Sequence, residues 1–165
     1  MNQKHSTITK TITLLALTAL TVMLLFGCSA TLTIAGTEVD RKAETLDLQS
    51  KGISDANSVR SLKKLHSLRS LDLRGNALEP TDYDAIQAFL PECDILWSVP
   101  VGDGRFDSDS AAVTAPGFTE ADVNTLAYFI NLSALDATGS TDYAALVEAQ
   151  KAYPNVAFTW TVDVV

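Results

Sequence analysis

The sequence predicts an α/β fold in which parallel strands, joined by helices on one side, form a short solenoid of two tandem units of about 65 residues. Three observations carry the prediction. Short apolar clusters with strand-like alternation begin near residues 32, 46, 71, 95, 111, 135 and 158. The longer gaps between them hold a helical apolar period that opens on a hydroxyl followed by an acid. The third is internal similarity at a nearly constant offset.

Leu62, Leu65, Leu68, Leu71, Asp72 and Gly75 match Leu126, Phe129, Leu132, Leu135, Asp136 and Gly139 at an offset of 64. Leu48, Ile53 and Ala56 match Val113, Phe118 and Ala121 at 65. Thr81-Asp82-Tyr83-Asp84-Ala85-Ile86 is answered by Thr141-Asp142-Tyr143-Ala144-Ala145-Leu146. Each copy is followed by a proline, Pro91 or Pro154, and then by a Trp-containing strand over 93–99 or 156–162. The units span about 31–98 and 97–165. A period of this size is what repeat architectures leave in a sequence.

In chain order, Leu32-x-Ile34-x-x-Thr37-x-Val39 reads as a starting cap strand and Leu46-x-Leu48 as the next strand. Ser54-Asp55 opens a helix over about 55–65 with Leu62 and Leu65 facing the strands. Leu71 and Leu73 alternate inward on a strand, and Thr81-Asp82 then opens a helix over about 82–90 with Ile86 and Phe89 inward. After the strand over 93–99 comes Ala111-x-Val113. Helices over about 120–130 and 142–152 open at Thr119-Glu120 and Thr141-Asp142, and flank the strand at Leu135-x-Ala137. Their inward residues are Leu126, Phe129, Leu146 and Ala149. At each start the hydroxyl would cap a free backbone N–H, and the acid meets the positive end of the helix. The two short gaps, 32 to 46 and 95 to 111, are expected to hold only loops.

Leu65-x-x-Leu68-x-x-Leu71-x-Leu73-x-x-Asn76-x-Leu78 closely resembles the leucine-rich-repeat motif. The other copies, such as Leu46-x-Leu48-x-x-Lys51-x-Ile53 and Leu135-x-Ala137-x-x-Ser140, keep the apolar spacing without the Asn. Asn76, at the turn, would use its side-chain amide to satisfy backbone groups of neighbouring turns. The resemblance implies a solenoid whose outward strand residues form a concave binding face.

The first 27 residues carry Lys4, Lys10 and His5 but no acid, followed by the uncharged run TITLLALTALTVMLLF over 11–26. A basic start, a short apolar core and a small residue before a cut make the pattern of a secretory signal peptide. The ending Leu25-Phe26-Gly27-Cys28 resembles the lipobox of bacterial lipoproteins. That family implies cleavage before Cys28, a diacylglyceryl thioether on its sulfur and acylation of the new N-terminus, with 28–30 as the tether. Such chains contribute about 0.8 kcal/mol per buried CH₂ and would hold the protein at the membrane of the cell envelope. The competing reading is an uncleaved transmembrane anchor, for which roughly 20 residues suffice.

Composition sets exclusions. At 47% hydrophobic residues the chain is too apolar for disorder. Twenty acids against twelve bases, a net charge of −8, argue against a general nucleic-acid binder. Two Cys cannot form a multi-bridge scaffold, and two distant His cannot form a zinc site of ordinary spacing, so no metal or cofactor is expected. Cys93, left alone once Cys28 carries lipid, sits in an alternating apolar stretch and reads as a buried small residue.

Alternation assigns the outward strand positions, whose central row reads Asp47, Asp72, Leu96, Ala112, Asp136 and Thr159. Asp47, Asp72, Arg74 and Asp136 are the candidate ligand-binding residues, suited to a cationic group or peptide; the competing reading is a merely solvated sheet face. Asp107 and Asp109 in the polar stretch 102–110 supply too few of the oxygens that Ca²⁺ needs, and a turn is expected there. His66 has no Ser and acid partner in view, and no phosphate-cradling Gly pattern occurs. Charge is bipolar: residues 41–74 hold eight bases and four acids, whereas 75–165 hold Arg105 and Lys151 against fourteen acids. Arg60, Lys63 and Lys64 are therefore candidates for contact with anionic headgroups, at about 1 kcal/mol each.

The reading is an exported, membrane-anchored lipoprotein, not an enzyme, that binds a protein or peptide partner on its strand face. One alternative is an accessory subunit of an envelope complex pairing through the C-terminal edge strand TWTVDVV. Another is a hydrolase, which a polar cleft with perturbed acids and bases would favour.

Overall fold

The computed structural model describes residues 31–162; the expected signal peptide over 1–27, the expected lipidation site Cys28 with its tether to residue 30, and residues 163–165 lie outside the described residues. The fold is mixed α/β, built on two three-stranded parallel sheets. In the first, β3 (Thr45–Asp47), β4 (Ser70–Asp72) and β5 (Asp94–Leu96) pair in that order, with Thr45, Ser70 and Asp94 in register. In the second, β8 (Ala112–Thr114), β9 (Ala134–Asp136) and β10 (Ala157–Thr159) pair in order, with Ala112, Ala134 and Ala157 in register.

The two short gaps expected to hold only loops hold hairpins instead. β1 (Thr31–Ile34) and β2 (Thr37–Asp40) are joined by Ala35-Gly36, both with positive φ (46° and 75°), the backbone signs of a type I′ turn. β6 (Ser98–Val101) and β7 (Gly104–Asp107) pair antiparallel around Gly102-Asp103. A two-residue turn closes a hairpin in about ten residues, too few for a crossover helix but enough for two strands. The expected loop between 95 and 111 is thus mostly strand.

The helical segments fall where the apolar period places them, but two are not α-helices throughout. Ala56–Lys64 is 3-10 helix, and α2 (Glu120–Val123) passes into 3-10 helix at Asn124–Tyr128. The cause is the spacing of the inward residues: Val59, Leu62 and Leu65 recur at every third position, as do Val123, Leu126 and Phe129. A three-residue period keeps one face inward only in a 3-10 helix. α1 (Pro80–Phe89) and α3 (Tyr143–Ala152) are α-helices; in α3 Ala145, Leu146 and Ala149 are buried.

The expected hydroxyl cap holds at one start of four, Thr119. Asp55 and Asp142 are themselves the caps, accepting from the N–H groups of Ser58 (3.0 Å) and Ala145 (3.1 Å). α1 starts at Pro80 after Glu79, because proline suits the first helical turn. Three of the first-turn acids reach further than their own helix. Asp82 accepts from Glu79 N–H (3.2 Å) and also from Ala56 N–H (3.1 Å). Asp142 accepts from Glu120 N–H, and Asp122 from Gly102 N–H.

The core is continuous. Leu48, Val59, Leu62, Leu71, Leu73, Ile86, Leu146 and Ala149 are fully buried, with Leu65, Leu68, Leu78 and Trp97 nearly so. Burying one Leu side chain contributes about 1.5–3 kcal/mol, so this leucine ladder dominates the fold's stability. Asn76 lies inside it: its Oδ1 accepts from Lys51 and Ile53 N–H groups (3.0 Å each), and its Nδ2 donates to the Leu48 and Leu73 carbonyls (2.8 Å each).

Candidate functional site

The outward face of the first sheet carries the candidate residues. Parallel register sets Asp47, Asp72 and Leu96 side by side. Each candidate acid also ends its strand in an Asx turn: Gln49 N–H donates to Asp47 (2.9 Å), Arg74 N–H to Asp72 (3.0 Å) and Thr138 N–H to Asp136 (2.9 Å). Strand chemistry alone therefore explains an acid at these positions.

Asp72 and Arg74 form one unit. The Arg74 guanidinium donates Nε to both Asp72 oxygens (3.0 and 3.1 Å) and Nη2 to Oδ2 (2.6 Å), and its Nη1 lies 3.5 Å from Asp109. Partial burial pushes the Asp72 carboxyl up, but the hydrogen bonds and charge of Arg74 outweigh it and hold the group below its ordinary value. The same contacts, with Asp109 and Asp107 nearby, raise Arg74. Asp47 stays exposed beside this neutralised pair. The face presents hydroxyls and two acids outside any ion pair among the described residues, Asp47 and Asp94, an arrangement for hydrogen-bond and ion-pair recognition.

Asp136 is not part of that patch. It belongs to the second sheet, between Thr114 and Thr159, where the hydrogen bonds from Thr138 lower its carboxyl. The expected row is thus divided between two sheets, with the β6–β7 hairpin intervening in the chain. Thr114, not Ala112, occupies the place beside Asp136; Ala112 pairs with Ala134, two residues earlier. Arg60, Lys63 and Lys64 are exposed on the 3-10 segment Ala56–Lys64. Lys63, His66 and Arg69 line a cavity of about 160 Å³ against Phe89 and Cys93.

The hairpin draws in Ser98, which strand alternation places outward and the structure buries. Ser98 Oγ accepts from Gly75 N–H (2.8 Å) and donates to Asp107 (3.2 Å), while Ser108 Oγ accepts from Trp97 N–H. Asp107 and Asp109 are thereby engaged in bracing the turn after β4. The signal was present as Val99-Pro100-Val101, then Gly102-Asp103-Gly104, then Arg105-Phe106, which is alternation around a glycine-rich turn.

Behind β5, Tyr83 stacks on Trp97 with ring centroids 4.8 Å apart, and Tyr128 stands edge-on to both. Tyr128 OH donates to Asp84 (3.0 Å), and burial together with that carboxylate raises the phenol. Cys93 is buried, and desolvation pushes its thiol up. Among the described residues no three His, Cys, Asp or Glu are grouped to hold a metal ion. Nor, among them, is any helix long and apolar enough to cross a membrane. No protein-family model matches the chain, and searches of curated proteins and of solved structures return no significant match.

Proposed function

We propose that the chain is an exported bacterial lipoprotein, anchored through Cys28, whose short leucine-rich-repeat-like solenoid binds a protein or peptide without catalysis. The observation that carries the binding reading is the polar outward face of the β3–β4–β5 sheet, with exposed Asp47 beside the Asp72–Arg74 pair. Two features support the solenoid. Asn76 bonds backbone groups of the preceding turn as the leucine-rich-repeat motif requires. Equivalent backbone bonds recur in both sheets: Ser70 N–H to Glu44 and Ala134 N–H to Ala111, Leu73 N–H to Leu96 and Ala137 N–H to Thr159. These recurrences favour two tandem units. Ser140 stands at the Asn76 place of the second unit, where its Oγ donates to the Phe118 carbonyl (2.8 Å) and accepts from Asp142 N–H (3.2 Å), reaching none of the counterparts of the four groups that Asn76 bonds.

The anchor rests on the lipobox-like ending at Cys28, and exposed Arg60, Lys63 and Lys64 suit contact with anionic headgroups. The test is affinity capture from detergent-solubilised envelope with the lipidated protein. A Thr45→Lys/Ser70→Lys variant, altered at two exposed outward positions, should lose the captured partner at unchanged Tm, whereas Glu148→Lys on α3 should keep it. Equal capture by all three would end the strand-face reading. A second reading, an accessory subunit, is favoured by β10, which among the described residues pairs only with β9 and leads to Val162, 60% exposed.

A further inference from the structure

The edge of the first sheet offers a further site, beside the outward face to which Asp94 and Leu96 belong. In the β4–β5 ladder, Asp94 N–H donates to the Arg69 carbonyl (2.8 Å) and the Leu96 carbonyl accepts from Leu73 N–H (2.7 Å). Asp94 and Leu96 therefore turn their backbone groups toward β4, and Ile95, between them, turns its N–H and C=O the other way. Neither group of Ile95 has a hydrogen-bond partner among the described residues, although Ile95 is only 6% exposed. Among the described residues β5 has no second strand, because the chain folds away into the β6–β7 hairpin.

The free edge is the wall of a groove of about 680 Å³ that Tyr83, Glu92, Asp94, Leu96 and Ile130 also line. Ile130 is 63% exposed, the largest exposure among the large apolar side chains described. Its N–H is held by the Ser108 carbonyl (2.7 Å), which fixes this apolar wall relative to the hairpin. Tyr83 is fixed by its stacking on Trp97. The lining contains two acids and no base, and among the described residues neither Glu92 nor Asp94 is in an ion pair.

We propose that this groove binds an extended basic segment of another protein, which adds as a strand to β5. Its backbone would pair with the N–H and C=O of Ile95, apolar side chains would pack on Tyr83 and Ile130, and basic ones would face Glu92 and Asp94. Strand addition needs an open edge for affinity and flanking pockets for specificity, and both are present. The groove favours a basic partner strand over the β5 of a second copy, which would bring a second Glu92 and Asp94 against the first pair. The site does not depend on Asp47, Asp72 or Arg74 contacting a partner.

The test uses the full lipidated chain in detergent micelles with the blocked peptide acetyl-(Lys-Val)₃-amide. The peptide should bind saturably and slow hydrogen exchange at the Ile95 amide at least tenfold. Ile130→Lys and Asp94→Lys, both at exposed positions, should each weaken binding at least tenfold without lowering Tm. An analogue with alternate peptide nitrogens methylated, tried in both phases, should lose binding in the phase that faces β5. The proposal is overturned if both methylated analogues bind as tightly as the parent, if acetyl-(Glu-Val)₃-amide binds equally well, or if Ile95 exchange does not change. A dimer that Ile130→Lys dissociates and the peptide does not compete with would also overturn it, by showing a second copy in the groove.

Discussion

The Asn76 side-chain amide donates to the Leu48 carbonyl at 2.8 Å across 28 positions of chain, and so ties the turn after β4 to the turn after β3. Its other bonds complete the arrangement, so that one 3% exposed side chain satisfies four backbone groups. Replacing it with Ala would leave these groups unpaired in the core. At about 1 kcal/mol for each lost bond, Asn76→Ala should cost about 3 kcal/mol or more, and lower Tm by roughly 10 °C. Urea and thermal unfolding measure this; a loss below about 1 kcal/mol would mean that water replaces the amide.

Asp82 and Asp142 each serve two helix starts, one on their own helix and one on a neighbouring segment. An ordinary cap is worth about 1 kcal/mol, so Asp82→Ala and Asp142→Ala should each cost nearer 2 kcal/mol by urea unfolding. The second bond should show as faster amide exchange at Ala56 and at Glu120, respectively. Unchanged exchange there would reduce these acids to simple caps.

Asp72 gains stability from Arg74 only while ionised. Its folded pKa is lowered, so this contribution is fully present above the ordinary carboxylate value near 3.9 and is lost as pH falls through the lower folded value. Asp72→Asn should therefore cost about 1 kcal/mol at pH 7, a figure kept low because both side chains are partly exposed. The difference from wild type should be constant between pH 7 and 5 and shrink only below about pH 4. A difference that shrinks between pH 7 and 5 would show that another group is responsible.

Cys93 is 5% exposed, and burial raises its thiol, so it should not react with a thiol reagent in the native protein at neutral pH. In denaturant the mature protein should titrate with one thiol, because Cys28 is expected to carry lipid. Two thiols in denaturant would contradict lipidation, and rapid native reaction would contradict the burial of Cys93.

The strand and helix order was legible because each inward position is a large apolar residue at a fixed step. Leu46, Leu71, Ile95, Val113, Leu135 and Phe158 are the central residues of their strands, and all six lie within the expected segments. The role of Asn76 was legible from its place in the motif. The hairpins were not, because a repeat-based reading assigns short gaps to loops, although Gly36 and the Gly102–Gly104 turn marked them. The 3-10 segments were not legible because the repeat spacing marks only Leu62 with Leu65, and Leu126 with Phe129, as inward, and a single step of three fits either helix; Val59 and Val123 extend the step to a second turn. The partnership of Arg74 with Asp72 is local, two positions apart, but its extension to Asp109 depends on the hairpin and lies outside any local pattern. The open edge of β5 was invisible for the same reason: an edge is defined by the strand that fails to follow it.

The proposed function requires that this domain be tethered to a membrane through Cys28. Intact-mass spectrometry of the protein purified from the membrane fraction, compared with Cys28→Ala, is the decisive measurement. The expected result is a chain that begins at Cys28 and carries two or three acyl chains, and an unlipidated Cys28→Ala protein. A chain that retains residues 1–27, or lipid that persists in Cys28→Ala, would contradict it.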